Sequence, residues 1–371
     1  MKLVLSGGGT GGHVYPALAV AQEWLRQSPE NQILYIGTEK GLENAIVKKA
    51  GLPFETIEVQ GFKRSLSLYN LQTIQRFVQG VRDAKRLLRS FRPDVVLGTG
   101  GYVAGPVLYA AHRLKIPIAI HEQNVVPGLT NRFLSRYADL IALSFAETER
   151  HFRKSANLLL TGNPRASEVV QADPRKGWAS LSLPPGTRLV LVVGGSRGAK
   201  AINETFLAMI PQLAALPDVH FVYVTGEVHY ETIRRQAEQQ LSLNPSVRKK
   251  LTILPFLDNM PEVLAAAILV VSRAGATMLS EITALGLPSI LIPSPYVTNN
   301  HQEKNARWLT DAGASVMIRE KDLSAQLLFE ELAGLLHHPE RLQAMGRSAK
   351  KLGHPDACQK LCRALIEIAR R

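Results

Sequence analysis

Three glycine-rich turns, each placed directly after a short apolar run, constrain the fold of this chain more than any other feature of its sequence. The turns span residues 6–13, 98–102 and 194–198, and they follow apolar runs at 3–5, 95–97 and 189–193. A strand, a glycine turn and a helix in succession direct backbone N–H groups and the positive end of a helix dipole toward an anion or a polar ligand. Three such turns predict a ligand cleft whose floor is glycine backbone.

Apolar strand patterns alternate with helical patterns along both halves of the chain. The predicted strands are residues 3–5, 33–36, 54–59, 95–97, 116–120, 140–143 and 158–160, then 189–193, 219–224, 251–254, 268–272, 289–292 and 315–318. This rhythm predicts parallel strands joined by right-handed crossovers, and hence an α/β protein with doubly wound sheets. Ligands of such sheets bind beyond the carboxyl ends of the strands, where all three glycine turns fall.

The length of the chain and a segment rich in turn residues predict two domains. The chain has 371 residues, and glycine and proline cluster between residues 162 and 187. We therefore predict an N-terminal Rossmann-like domain over residues 1–161, a linker over 162–187 and a C-terminal Rossmann-like domain over 188–352. The remaining residues, 353–371, are predicted to form a C-terminal helix.

The composition excludes several classes of protein. An apolar content of 46% and a charged content of 20% are typical of a globular protein. No apolar run approaches the roughly 20 residues of a membrane-spanning helix, and no secretory leader is visible, so neither is predicted. Cys358 and Cys362 lack a second pair at zinc-binding spacing and are predicted to be ordinary thiols in a reducing compartment.

The net charge of +13 predicts an anionic partner. No nucleic-acid-binding module is recognisable, so a membrane surface or a phosphorylated ligand is favoured over nucleic acid. Residues 61–92 hold eight Lys and Arg against one acid, Asp83, with apolar residues at helical spacing. A basic amphipathic segment can bind an anionic bilayer. The alternative is a crossover helix whose charges are simply solvated.

The first turn also matches the dinucleotide-binding pattern, as Gly7-x-Gly9-x-x-Gly12. Glu39 lies at the end of the second predicted strand, where an acid that binds a ribose would be expected. A Walker phosphate loop is excluded, because His13 occupies the place of its lysine and hydroxyl residues. A dinucleotide-binding oxidoreductase or sensor therefore stays open as an alternative.

Two histidine-containing segments are candidates for proton transfer. His13 lies at a predicted helix start, where the dipole favours a neutral ring that can accept a proton. Its alternative role is to cap the turn. Residues 121–124, His-Glu-Gln-Asn, leave the strand at 116–120, which favours a site over a polar network that closes a loop. His13 is the first choice for a general base and Glu122 the second.

Residues 272–281, with the sequence SRAGATMLSE, follow a predicted strand of the second domain and begin a helix. Small residues there allow a diphosphate to approach the backbone, and Glu281 could bind two ribose hydroxyls. Taken alone, Glu281 is more typical of a surface helix charge. The chain contains no Asp-x-Asp, so the usual ligands of a metal–diphosphate site are missing from the sequence. We expect neither a metal ion nor another cofactor.

Together these motifs resemble the MurG family of bacterial transferases over essentially the whole chain. The resemblance is carried by residues 8–13, 98–106, 121–124, 194–199, 276–281 and 300–305. It implies the GT-B fold, with two Rossmann-like doubly wound domains facing a cleft and a C-terminal helix that crosses back to the N-terminal domain. It also implies inverting transfer of N-acetylglucosamine from UDP-N-acetylglucosamine (UDP-GlcNAc) to the C4 hydroxyl of MurNAc in lipid I. Lipid I is undecaprenyl-pyrophosphoryl-MurNAc-pentapeptide, and the product is lipid II for peptidoglycan.

The resemblance also implies roles for individual residues. In the N-terminal domain, the donor sugar would be approached by Thr10, Gly11, Gly12 and Asn124, and the acceptor by Gly100, Gly101 and Tyr102. In the C-terminal domain, the donor would be bound by Ser196, Asn203, Leu257, Ala276, Thr277, Met278, Leu279, Ser280, Glu281 and Gln302. Arg165 departs from the family pattern, which places an apolar residue before the arginine, whereas Ala166 follows here. Arg165 reaches the diphosphate only if the backbone is shifted.

The implied partners and location follow from a lipid-anchored acceptor. We expect a peripheral protein on the cytoplasmic face of the bacterial cell membrane, with the anionic inner-membrane surface as a partner. Other proteins of cell-wall synthesis are a further candidate class of partner. A UDP-sugar epimerase and a diacylglycerol glycosyltransferase of the same fold stay open as alternative activities. An epimerase would consume the UDP-sugar without any lipid acceptor.

Overall fold

The structure, a computed structural model, describes residues 1–60, 68–195, 198–216 and 218–371. Ser196 and the first seven residues of the basic segment, 61–67, lie outside the described residues, as do the side chains of residues 68–72, 74 and 298. The described residues form two compact units. Unit 1 comprises Met1–Ser167 and Asp356–Arg371, and unit 2 comprises Glu168–Pro355.

The described residues contain strands that overlap every predicted one. They are β1 Lys2–Gly7, β2 Gln32–Gly37, β3 Phe54–Thr56, β4 Val95–Gly100, β5 Ile118–Glu122, β6 Leu140–Leu143, β7 Leu158–Leu160, β8 Leu189–Val193, β9 His220–Val224, β10 Leu251–Leu254, β11 Ala267–Ser272, β12 Ser289–Leu291 and β13 Val316–Met317. The prediction extended β3 to residue 59 and β13 over 315–318, but the paired segments are shorter.

Helices occupy most of the connections between these strands. They are α1 Gly11–Gln27, α2 Leu42–Lys49, α3 Leu68–Phe91, α4 Ala104–Arg113, α5 Leu129–Leu134, α6 Arg165–Val169, α7 Pro174–Ser180, α8 Lys200–Met209, α9 Glu227–Leu243, α10 Pro245–Arg248, α11 Met260–Ala266, α12 Ala276–Leu285, α13 His301–Asp311, α14 Ala325–Leu336, α15 Pro339–Lys351 and α16 Ala357–Ala369. Short 3-10 helices lie at Ala146–His151, Ile210–Ala215, Thr298–Asn300 and Glu320–Asp322.

The sheet of unit 1 has seven parallel strands in the order β3-β2-β1-β4-β5-β6-β7. Leu3 and Leu5 of β1 belong to one buried cluster and Val4 to another, as the two-residue period of a strand buried on both faces requires. The first cluster includes residues of α1 and α16, and the second includes residues of α3 and α4. The strand order changes direction beside β1 and β4, and their carboxyl ends carry the first two glycine turns.

The C-terminal helix belongs to unit 1, which confirms the predicted return to the N-terminal domain. α16 buries Leu361, Leu365 and Ile368 in the cluster that also contains Trp24 of α1. Both cysteines of α16, Cys358 and Cys362, are buried there and are not joined in a disulfide. The spacing of the apolar residues along α16 therefore reflects a buried helix face.

The sheet of unit 2 has six parallel strands in the order β10-β9-β8-β11-β12-β13. One face packs on a cluster that includes Ile202 and Phe206 of α8 and Leu328 and Leu332 of α14. β8 and β11 lie side by side at the centre, so the third glycine turn and the start of α12 follow neighbouring strands.

The segment predicted as a linker, 162–187, holds two short helices separated by turns and irregular chain. It contains α6 and α7, and its residues are divided between the two units. Asp173 caps α7 by accepting a hydrogen bond from Arg175 N–H, and Pro174 occupies the first turn of the helix. Gly177 packs on α11, where a Cβ would lie 2.2 Å from Glu262 O. Pro174 and Gly177, two of the residues that predicted a linker, thus serve as a helix start and a close contact.

Candidate functional site

The first two glycine turns contact each other at the carboxyl ends of β1 and β4. Gly8 N–H donates a hydrogen bond to Gly100 O at 3.2 Å. A Cβ on Gly101 would lie 2.2 Å from Gly8 O, and Gly101 has a φ of +84°. Any other residue at position 101 would therefore clash with the backbone and strain its own conformation. This contact requires glycine, and it brings residues 10–13 and 100–102 together.

His13 lies on this pair of turns with its ring orientation fixed by the backbone. Its Nδ1 is 2.9 Å from Gly8 O and 3.3 Å from Thr10 Oγ1. Because a carbonyl oxygen only accepts, we assign the proton to Nδ1, which makes Nε2 the acceptor atom of the neutral ring. The Nε2 edge lies over Gly100, where a Cβ would be 3.0 Å from Nε2. This arrangement suits a proton acceptor.

The His-Glu-Gln-Asn segment forms a buried network at the end of β5. His121 Nε2 donates to Gly162 O at 3.0 Å, and Gln123 Nε2 donates to Thr99 O at 2.6 Å and to His121 Nδ1 at 3.1 Å. His121, Glu122 and Gln123 are each at most 2% exposed. Most of this segment is therefore the polar network that the sequence left open as the alternative. It ties the ends of β4 and β5 to residue 162.

Burial has a clear electrostatic effect on His121. Desolvation lowers the pKa of this imidazole from 6.5 to about 4, although its hydrogen bond to Gly162 O acts in the opposite direction. Gln123 also presents an N–H group to Nδ1, which cannot coexist with a proton on that atom. The ring is thus held neutral as a structural donor.

The Glu122 carboxylate is occupied by its own loop. Oε1 accepts hydrogen bonds from Asn124 N–H at 2.9 Å and Asn124 Nδ2 at 3.3 Å. Oε2 accepts from Gly128 N–H at 3.1 Å and Asn131 Nδ2 at 2.8 Å. A carboxylate that is 1% exposed and satisfied by four donors suits loop anchoring better than proton transfer. The geometry of unit 1 favours His13 as the base.

The other predicted residues of unit 1 follow β4, β5 and β7. Asn124 is half-buried at the end of β5, next to β4. Tyr102 is 36% exposed, and its ring would be 3.5 Å from a Cβ on Gly9. The Arg165 guanidinium lies over the Tyr15 ring, 5.5 Å from its centroid, so this arginine lies beside the first turns of α1.

One acid at the first glycine turn was not anticipated from the sequence. Glu39, the predicted ribose-binding acid, is exposed. Glu43, four residues later, is fully buried, and its Oε2 accepts a hydrogen bond from Gly9 N–H at 3.1 Å. The turn therefore already bonds a carboxylate of its own chain, which argues against a dinucleotide diphosphate there. An acid in the first turn of a short helix carries no sequence signal for this role.

The third glycine turn of unit 2 is also a close backbone contact. A Cβ on Gly198, whose φ is +71°, would lie 2.1 Å from Thr225 O at the end of β9. Asn203 donates from Nδ2 to the same oxygen at 2.9 Å and is 1% exposed. Asn203 thus supports the turn from inside the fold. Gly195 has a φ of +93°, and no atom of the described residues lies within 4 Å of the place where its Cβ would project.

The remaining predicted residues of unit 2 follow β10, β11 and β12. α12 begins at Ala276, directly after β11 and Gly275. Thr277 and Met278 are half-buried, and the deeper residues of this stretch are Ala276, Leu279, Ser280 and Glu281. Leu257, after β10, is 6% exposed. Gln302, after β12, accepts a hydrogen bond from Ser294 N–H at 2.9 Å.

An ion pair that the sequence did not indicate supports this end of unit 2. Arg273 pairs with Glu320, and their side chains are 13% and 12% exposed. Arg273 Nη1 also donates to Ile292 O at 3.0 Å. The arginine of the 272–281 motif therefore joins the ends of β11 and β12. Among the residues that the structure describes, no group of three or more His, Cys, Asp or Glu side chains could hold a metal ion.

Comparison with known proteins matches both halves of the chain to one family. The N-terminal domain of glycosyltransferase family 28 matches residues 3–143, and the C-terminal domain of that family matches residues 189–361. A transferase from Halalkalibacterium halodurans is 53% identical over the full length of both chains. It is named UDP-N-acetylglucosamine–N-acetylmuramyl-(pentapeptide) pyrophosphoryl-undecaprenol N-acetylglucosamine transferase.

Solved structures agree with this match. MurG from Acinetobacter baumannii is 29% identical, with a TM-score of 0.75 over 99% of each chain. UDP-GlcNAc 2-epimerase from Neisseria meningitidis has a TM-score of 0.72 over 99% of this chain and 100% of its own, at 15% identity, and so shows a shared fold alone. The chain therefore belongs to glycosyltransferase family 28 and, within it, to the MurG family of N-acetylglucosamine transferases.

Proposed function

We propose that this chain transfers N-acetylglucosamine from UDP-GlcNAc to the C4 hydroxyl of MurNAc in lipid I, with inversion, and so forms lipid II. The observation that carries this proposal is the full-length identity of 53% to the Halalkalibacterium halodurans transferase. The two-unit α/β architecture and the three glycine turns fit a sugar-nucleotide transferase.

Unit 2 supplies the donor site in this proposal. The diphosphate lies against the amides that begin α12, where the helix dipole favours an anion, and Ser196 is the second residue that the family resemblance assigns to the diphosphate. Leu257 contacts the uracil through its backbone, Glu281 binds the ribose and Gln302 binds the sugar. Backbone amides and the helix end stabilise the charge on the leaving UDP without any rearrangement. Asn203 acts indirectly, by holding the turn at Thr225 O.

Unit 1 supplies the proton acceptor. His13 Nε2 removes the proton from the C4 hydroxyl as its oxygen attacks C1 of the donor sugar. The bond between C1 and the diphosphate oxygen breaks, and UDP leaves with the bonding electrons. The Nδ1–H bond to Gly8 O keeps Nε2 available for this proton. Thr10, Gly11, Gly12 and Asn124 contact the transferred sugar, and Tyr102 lies on the acceptor side.

Turnover of a His13→Ala variant tests the base. We expect UDP release by the wild-type chain to require lipid I and to persist in EDTA, and to fall at least about tenfold in His13→Ala. His337→Ala, which removes an exposed histidine of unit 2, is the control and should retain wild-type turnover. Near-normal turnover of His13→Ala would rule out the base assignment. Consumption of UDP-GlcNAc without lipid I would instead rule out the acceptor.

We also propose that unit 1 binds the anionic cytoplasmic surface of the cell membrane. Val78 of α3 and Leu129 and Phe133 of α5 are large apolar residues that are 45%, 69% and 38% exposed. Phe77 of α3 and Phe133 are in ring contact, with centroids 6.4 Å apart, so α3 and α5 meet at these residues. Exposed apolar residues ringed by basic ones are typical of peripheral membrane binding.

Basic side chains lie beside Phe133 and along α3. A cavity of about 360 Å³ beside Phe133 is lined in part by Arg132, Arg136 and Arg153. Arg82, Arg86 and Arg89 are exposed on α3. Such groups attract the phosphates of anionic lipids. No helix among the described residues combines the length and the apolar character needed to span a bilayer.

Co-sedimentation with vesicles that contain phosphatidylglycerol tests this surface. We expect salt-sensitive binding that is lost when Arg82, Arg86 and Arg89 are replaced together by Glu. The matched control replaces three exposed basic residues of unit 2, Arg235, Lys249 and Lys351, by Glu and so makes the same charge change. Vesicle binding that does not weaken as the salt concentration rises would contradict the proposal. An equal loss of vesicle binding in the two triple variants would also contradict it.

A further inference from the structure

Glu43 is a buried carboxylate at the first glycine turn that the mechanism above leaves unused. It lies in the first turn of α2 and is 0% exposed. Its Oε1 accepts hydrogen bonds from Thr38 N–H at 3.1 Å and from Thr38 Oγ1 at 2.6 Å. Its Oε2 accepts from Gly9 N–H at 3.1 Å. Because a carboxylate is costly to bury without donors, these bonds are what hold it in place.

The surrounding backbone is shaped to admit this side chain. A Cβ on Gly8 would lie 2.6 Å from Glu43 Cδ, and one on Gly41 would lie 2.1 Å from Oε1. A Cβ on Gly37 would lie 2.8 Å from Cγ. These three glycines lie in loops and at strand ends, and because they have no side chains they leave the space that the Glu43 carboxylate fills. Neither Gly37 nor Gly41 belongs to the glycine turn itself.

The carboxylate is connected to His13 through a single peptide group. The N–H that bonds Glu43 belongs to Gly9, and the carbonyl of the same peptide, Gly8 O, accepts the proton of His13 Nδ1 at 2.9 Å. A peptide group is planar, so fixing the direction of its N–H also fixes the direction of its C=O. A negative charge at the N–H end also polarises the group and makes its oxygen a stronger acceptor.

We propose that Glu43 is a positioning residue that acts on His13 through the Gly8–Gly9 peptide. It holds the carbonyl that selects the Nδ1–H tautomer, and so keeps Nε2 as the atom that accepts a proton. The effect of Glu43 on catalysis rests on the function proposed above. Its effects on the first glycine turn and on the His13 ring do not depend on that function. The same bond uses the Gly9 N–H, so this amide is not available to a ligand phosphate.

A Glu43→Gln variant separates the charge from the volume of the side chain. The glutamine amide keeps one oxygen, so either Gly9 N–H or Thr38 N–H faces an N–H group instead of an acceptor. NMR of the free chain should show an upfield shift of the Gly9 amide proton and a mixture of His13 tautomers in the ring ¹⁵N shifts. With lipid I and UDP-GlcNAc, kcat should fall about 10- to 100-fold, with the KM for UDP-GlcNAc changed less than about twofold.

Glu23→Gln is the matched control. Glu23 is also a buried acid of unit 1, 8% exposed, but it bonds Arg26 and Gln27 at the other end of α1. The Glu23→Gln variant should leave the NMR signals of Gly9 and His13 and the turnover unchanged. Unchanged Gly9 and His13 signals in Glu43→Gln, or an equal loss of turnover in Glu23→Gln, would overturn the proposal.

Thr38→Val provides a milder second variant if Glu43→Gln does not fold. It removes only the Oγ1–H bond to Oε1 and keeps the carboxylate. The NMR signals of Gly9 and His13 should move in the same direction as in Glu43→Gln, but by a smaller amount. Unchanged signals in Thr38→Val would count against the proposal. If the wild-type chain transfers no N-acetylglucosamine, the proposed function fails, while the NMR comparison still decides the role of Glu43.

Discussion

His13 and His121 show how residues of one type acquire opposite roles in the same unit. His13 donates from Nδ1 to Gly8 O, which directs Nε2 away as an acceptor. His121 donates from Nε2 to Gly162 O and accepts from Gln123 at Nδ1, so both of its nitrogens are used inside the fold. Both histidines follow a strand end in the sequence. Their hydrogen-bond partners and their burial distinguish the candidate base from the structural residue.

Burial of His121 makes the stability of unit 1 depend on pH. The pKa of its imidazole is lowered to about 4 in the fold, against 6.5 for a free group, so the unfolded chain binds the proton more readily. Stability should therefore be full above about pH 6.5 and should be lost as the pH falls toward 4. At about 1.4 kcal/mol per pKa unit, the loss is on the order of 3 kcal/mol.

Urea unfolding between pH 7 and about pH 4.5 measures this dependence. Trp24 reports on unit 1 when Trp178 and Trp308 are replaced by Phe. In that background His121→Gln should be less stable at neutral pH and should show a flatter pH dependence. An exposed-histidine variant, His337→Gln, should retain the parental slope. The same slope in His121→Gln would show that other groups cause the dependence.

At the scale of elements, apolar runs predicted the strands well, whereas turn residues did not identify the helices of the segment 162–187. Parallel strands buried on both faces appear in sequence as apolar runs, which is why every predicted strand is found. Within the segment predicted as a linker, 162–187, proline, glycine and aspartate serve a helix start and a close packing contact as well as loops. Composition alone does not distinguish these uses.

The packing of α16 on unit 1 gives a prediction at this scale. Leu365 is fully buried in the cluster that contains Trp24 and Leu361, so Leu365→Ala should destabilise unit 1 by about 2–5 kcal/mol. Arg363→Ala, on the exposed side of the same helix, should change stability by less than about 0.5 kcal/mol. The urea transition of Trp24 measures both. Equal free energies of unfolding for Leu365→Ala and Arg363→Ala would show that α16 does not support the core of unit 1.

At the scale of the whole molecule, the fold is shared more widely than the chemistry. The structure resembles an epimerase at 15% identity nearly as well as it resembles MurG from Acinetobacter baumannii. A shared fold does not determine which reaction is carried out. The assignment to the transferase family therefore rests on identity along the full chain, from the glycine turns to α16.

Ligand-induced stabilisation tests the donor at this scale. UDP-GlcNAc at about 100 times its Kd should stabilise the unit that binds it by about 2.7 kcal/mol and raise its Tm, whereas NAD and NADP should not. UDP-GlcNAc should also be recovered unchanged after incubation without lipid I. A Tm increase with NAD would favour the dinucleotide alternative, and loss of UDP-GlcNAc without acceptor would favour an epimerase.

The sequence by itself determined the elements of the two α/β units, the positions of the glycine turns and the family. Those features are local or repeated along the chain, so apolar periodicity and motif spacing encode them. Only the tertiary structure decided which polar groups are used in internal hydrogen bonds. Glu122 accepts hydrogen bonds within its own loop, and Asn203 donates to Thr225 O. The tertiary structure also placed Glu43 against Gly9 N–H, across 34 residues of chain. Hydrogen bonds between distant residues depend on the packing of the sheet and its helices, and no local pattern records them.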